Sequence, residues 1–123
     1  MSKRLDETIA TVEHDGLIVS NEPVADVIGV TLAAAGVVKR GTIIAGTPGG
    51  SDFAALAAAA SNDKAIYILT DDVDTAVSTT GTAYRTGHFA RSKVIVGDGY
   101  TLTAVDEEIM RKSGILISAA LPY

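Results

Sequence analysis

The run Ala65-Ile66-Tyr67-Ile68-Leu69 constrains everything around it. Five consecutive apolar residues, rich in β-branched and aromatic side chains, are too few for a self-sufficient helix and fit a buried strand. Thr70-Asp71-Asp72-Val73-Asp74 follows, so the chain leaves the core there through a polar turn. Farther on, Thr82-Ala83-Tyr84-Arg85-Thr86-Gly87-His88-Phe89 alternates small, aromatic and charged residues until Gly87 interrupts it. That pattern belongs to a half-exposed strand with a bulge or bend at the glycine. Nothing between the two segments has the makings of a useful helix. The two strands are therefore expected to be neighbours in one β-rich core, joined by a loop around Ser78-Thr79-Thr80-Gly81.

The flanking chain repeats the theme. Leu17-Ile18-Val19 reads as a short strand ended by the turn Ser20-Asn21-Glu22-Pro23. Val27-Ile28-Gly29-Val30-Thr31-Leu32 is β-branched around a glycine and favours a strand. Lys39-Arg40 falls between two short aliphatic runs as a solvated turn, and Thr47-Pro48-Gly49-Gly50-Ser51-Asp52 is the strongest cluster of breakers. By propensity Phe53 to Ala60 reads as a helix, although eight residues are marginal without packing. Ser92-Lys93-Val94-Ile95-Val96 reads as a strand closed by the turn Gly97-Asp98-Gly99-Tyr100. Val105 to Lys112 reads as the one convincing helix: its acids precede its bases, matching the helix dipole, and Gly114 is placed to stop it. Ile115-Leu116-Ile117 returns as a last strand. The expected fold is mainly β, with short strands, one short C-terminal helix and an N-terminal arm.

Composition bounds the function. The 123 residues amount to one domain, and with aromatics at 5% the core must be built from small aliphatic side chains. Such a core makes an oligomer the expected state. The net charge is −5, and no basic cluster exceeds a pair, which argues against nucleic acid as a partner. Without cysteine there is no disulfide, thiolate metal site or thiol nucleophile. The N-terminus lacks the apolar core of a signal peptide, and Val27 to Val38 is too short to span a bilayer, so no membrane partner is expected and synthesis in the cytoplasm is.

Residues 1–15 are polar and charged, yet Thr8-Ile9-Ala10-Thr11-Val12 has strand-forming character. A segment with so little apolar surface cannot order itself, so it reads either as a frayed terminus or as an arm that, if it orders, does so by adding a strand to a partner's sheet edge. The single β-rich domain then covers residues 16–123.

Chemistry has little to stand on. Gly41 to Gly50 is glycine-rich, but a phosphate-binding loop needs Lys-Ser/Thr after its last glycine, and Gly46 is followed by Thr47-Pro48. Asp71, Asp72 and Asp74 lack the further oxygen ligands of a calcium loop, and they fit a strand-end turn whose side chains accept backbone N–H groups. His14 and His88 are the only histidines, too few for a zinc site, and His88 fits an exposed strand position. No nucleophile elbow occurs. Neither a metal, a cofactor nor a catalytic residue is assigned, and the chain is expected not to be an enzyme.

The order of segments resembles the lambda-type head decoration proteins of tailed bacteriophages. The residues that carry the likeness are His14 to Val19 leading to Pro23, Val38-Lys39-Arg40-Gly41-Thr42-Ile43-Ile44, Ala65 to Leu69 with Asp71 to Asp74, Tyr84 to Phe89, and Arg111 to Ile117. Order and spacing carry it, since each motif is only a turn or a strand. The resemblance implies a β-clip-like fold and a homotrimer on the outer surface of the expanded virion capsid, at three-fold and quasi-three-fold sites. It also implies that the arm, through Lys3, Arg4, Leu5, Thr8, Ile9, Ala10, Thr11 and Val12, binds the major capsid protein by strand pairing. The alanine-rich stretch from Phe53 to Ala60 departs from the family pattern. A competing reading is a small trimeric β-rich enzyme acting on nucleotides. A sugar-binding accessory domain ranks last, because four tyrosines and two phenylalanines are few for such a site.

Overall fold

The computed structural model describes residues 17–20, 25–61 and 63–118. Within them the chain is mainly β: β1 (Ile18–Ser20), β2 (Asp26–Thr31), β3 (Val37–Val38), β4 (Ile43–Gly46), β5 (Ala54–Ala55), β6 (Ala65–Leu69), β7 (Val73–Asp74), β8 (Thr80–Ala90) and β9 (Ile115–Ser118), with the helix α1 (Ala104–Lys112) before the last strand.

The long strand β8 is the axis of the sheet. On one side it pairs antiparallel with β2 and then β1, and on the other with β6 and then, in parallel, with β9. Beyond β6 lie β4 and β5, both antiparallel. A parallel bridge from Leu32 to Phe53, with Ala33 N donating to Phe53 O at 2.8 Å, ties the end of β2 to the start of β5. The sheet therefore curls round on itself. A separate two-stranded ribbon pairs β3, the aliphatic run before the Lys39-Arg40 turn, with β7, which the sequence placed in a polar turn, and β8 starts earlier than expected, at Thr80.

This topology explains why β6 is continuously apolar: both its faces are covered. Ile66 and Ile68 point into one core with Leu17, Ile43, Phe89, Met110 and Ile115, against which α1 packs. Leu69 points into the other, with Val30, Leu32, Ile44, Phe53 and Ala83, and Tyr67 packs against the same side. The Phe53 and Tyr67 rings stack there with centroids 5.5 Å apart.

Gly87 does mark a bend. Its φ is +148°, and a Cβ there would lie 2.7 Å from the Phe89 ring. Just before it, Asp26 faces Thr86 while Val27 faces Tyr84, so Arg85 is the extra residue of a bulge. The helix is as expected, one residue longer at its start and capped by Thr103, and Gly114 follows it at φ +103°. Because the chain crosses over through α1, β9 can run parallel to β8.

Two expectations are corrected. Phe53 to Ala60 is not helical: Ala54 and Ala55 pair with β4, and Phe53 and Leu56 enter different cores, which an extended chain permits. Ser92 to Val96 is not a strand. After a turn in which Lys93 N donates to Ala90 O, only Ile95 bridges to Thr42, because the edge beyond Ile43 is already taken by Leu56 and β5.

Candidate interaction surface

The arm residues Lys3, Arg4, Leu5, Thr8, Ile9, Ala10, Thr11 and Val12, and His14 with them, lie outside the described residues. The structure does give the anchor that follows them. Leu17 is 1% exposed in the first core, its carbonyl accepts from Ala90 N at 2.8 Å, and Ile18 pairs with Phe89. Among the described residues β1 pairs with β8 alone and ends the sheet.

The glycine-rich loop holds a carboxylate of its own. Asp52 Oδ1 accepts from Thr47 N at 2.8 Å and Oδ2 from Thr47 Oγ1 at 2.8 Å. The Thr47 N–H, then its hydroxyl, hold the Asp52 carboxyl below the ordinary range. A Cβ on Gly46 would lie 2.9 Å from Asp52 Oδ1, and one on Gly50 3.2 Å, so both glycines make room for this side chain. The loop is filled from within.

The acidic turn after β6 follows the same logic at the surface. Asp72 Oδ1 accepts from Arg40 N at 2.7 Å, Asp74 Oδ1 from Ala76 N at 3.0 Å, and Asp71 Oδ2 from Thr70 Oγ1 at 3.2 Å. Asp72 and Asp74 thus take the backbone-capping roles read from the sequence, while Asp71 meets a hydroxyl instead. Arg40 is more than a solvated turn residue: Nη1 donates to Thr70 O at 2.7 Å, and the guanidinium lies 5.9 Å from the centre of the Tyr84 ring. His88 is half-buried rather than exposed, with Nε2 2.6 Å from Ser118 Oγ.

One buried acid escaped the sequence reading. Asp106 is fully buried at the start of α1, and its carboxylate accepts from Ala60 N at 2.8 Å, from Thr103 N at 3.0 Å and from the Tyr100 hydroxyl. Burial alone would raise its pKa, but the Tyr100, Ala60 and Thr103 donors outweigh it and leave the carboxyl below its ordinary value. The spacing Thr103-x-x-Asp106 before an apolar position is the signal that could have found it.

Two surface features lie apart from these capped turns. A cleft of about 400 Å³ lies at the start of β6, with Ile66, Tyr67 and Ile109 in its walls and Lys64, Arg85 and Lys112 around it. At the opposite end of β6, Val77 is 83% exposed, the most exposed large apolar side chain among the described residues. Among those residues no group of three or more His, Cys, Asp or Glu could hold a metal ion, and no helix is long and apolar enough to cross a membrane. Neither the known family models nor the curated proteins give a match to this chain.

Proposed function

We propose that the chain is a structural virion protein, a homotrimer that binds the outside of the expanded head of a tailed phage at three-fold and quasi-three-fold sites and stabilises it. The observation that carries this reading is the tether: a strand-forming N-terminal sequence precedes Leu17 and β1, at the end of a sheet whose strand β6 is covered on both faces. A rigid body with a peptide leading from its sheet edge suits an attachment protein. Lys3 to Val12 pair as a strand with the major capsid protein, and three arms per trimer bind together, so a shell subunit that leaves must break several contacts at once. Preference for the expanded lattice stabilises that state by mass action. The competing nucleotide enzyme would need a phosphate cradle, and the glycine loop that could supply one is occupied by Asp52.

Co-sedimentation with expanded and unexpanded shells of the phage that encodes the chain tests this. Saturable binding to expanded shells alone is expected. Binding to neither, together with a thermal shift on adding nucleotide, would overturn it.

A further inference from the structure

The cleft and the exposed valine lie at opposite ends of one strand. Lys64 directly precedes β6, and Arg85 and Thr86 reach the cleft from β8, whereas Asp71 to Val77 follow the far end of β6. The exposure of Val77 is not fraying. Its N–H and that of Ser78 both donate to Asp74 O, at 2.9 and 3.0 Å. Buried Thr75 anchors the turn from beneath, accepting from Ala35 N at 2.9 Å and donating to Gly36 O at 2.8 Å. The fold thus holds an apolar knob out into solvent beside Asp71, Asp72 and Asp74, and Asp71 Oδ1 and Asp74 Oδ2 have no partner among the described residues.

The cleft is the complement of that knob. Ala65, Ile66, Tyr67 and Ile109 give it an apolar floor, Ser61, Thr86 and Ser113 add hydroxyls, three of the chain's ten basic residues ring it, and no acid lines it among the described residues. Arg85 pairs with Asp26 at 2.5 Å, but no hydrogen bond or ion pair among the described residues reaches the ammonium of Lys64 or Lys112. Asp52, Asp63 and Glu108 act on these two lysines only through space. In a chain of net charge −5, two lysines without an ion pair beside a partly apolar hollow call for an acidic occupant carrying an apolar side chain.

We infer that the Asp71–Val77 turn of one copy seats in the Lys64–Arg85–Lys112 cleft of the next. The two patches differ, so the contact is head to tail, and repeated with a closing rotation it makes a ring. A two-fold pairing through either patch alone would set like charges against each other. This inference deepens the homotrimer of the proposed function and rests on that reading.

Sedimentation velocity of the full chain tests it. Wild type is expected to be trimeric and to dissociate as salt rises. Val77→Glu should raise the dissociation constant roughly tenfold or more, and K64E/K112E should do the same. Adding D71K/D74K to K64E/K112E reverses both patches and should restore assembly. Thermal melts of each variant establish that it is folded; if K64E/K112E fails to fold, Val77→Glu decides alone, since its side chain touches nothing that holds the protomer. Folded variants that assemble like wild type overturn the inference and leave the trimer standing. Intact trimers that lose shell binding also overturn it, by assigning the cleft to the shell. A monomeric wild type overturns both.

Discussion

Asp106 and the acids of the turn after β6 are the same functional group in opposite surroundings. Asp106 is sealed under the alanine-rich segment and takes donors from Ala60, Tyr100 and Thr103, three parts of the chain that have no ladder in common. Asp71, Asp72 and Asp74 stand in solvent, accept from Thr70, Arg40 and Ala76 respectively, and lie near an exposed valine. The difference teaches where stability ends and recognition begins. A buried carboxylate has traded water for fixed donors, so losing it strands each of them, whereas an exposed one can be exchanged at small cost to the fold.

The largest expected effect lies at the strand that separates the two groups. Ile68→Asp places an unpaired charge in the first core, where Ile68 is 0% exposed, and should abolish cooperative unfolding by circular dichroism. Asp106→Ala should cost about 3 kcal/mol, seen as a fall in Tm of roughly 10 °C, because three donors lose their acceptor. A smaller effect separates the groups by pH. Since the Asp106 carboxyl is held below its unfolded value, its contribution is complete above about pH 4 and is lost as pH falls through the lower folded value. Asp106→Asn should flatten that acid limb of the stability curve. Smallest of all for the fold, removing residues 1–12 should leave Tm unchanged within about 1 °C, while capsid binding falls by orders of magnitude. A large loss of Tm would show that these residues belong to the body.

What could be read in advance follows the same divide. The residues Ala65 to Leu69, the bend at Gly87 and the helix were legible because each is dictated by neighbours in the chain: an apolar run, a position that excludes Cβ, an ordered sequence of charges. Phe53 to Ala60 was not, because alanine suits a helix locally and becomes extended only when β4 offers an edge and Asp106 a hydrogen-bond acceptor. Ser92 to Val96 failed for the complementary reason: its strand character found only one open position beside β4. The parallel pairing of β9 depends on the crossover through α1, a matter of topology to which local pattern is blind. The cleft was invisible as well, since Lys64, Arg85 and Lys112 converge only through pairing and packing.

The central place of β8 has a consequence for how the protein is made. β1 and β2 leave the ribosome before β8, yet among the described residues their ladder partners lie on β8, and the first core also needs Met110 and Ile115 from farther along the chain. The segment before β8 cannot complete its sheet until β8 has been made, so the early strands wait for the late one. Folding of the domain therefore waits for β8 and β9, which supply Phe89 and Ile115 to the first core together.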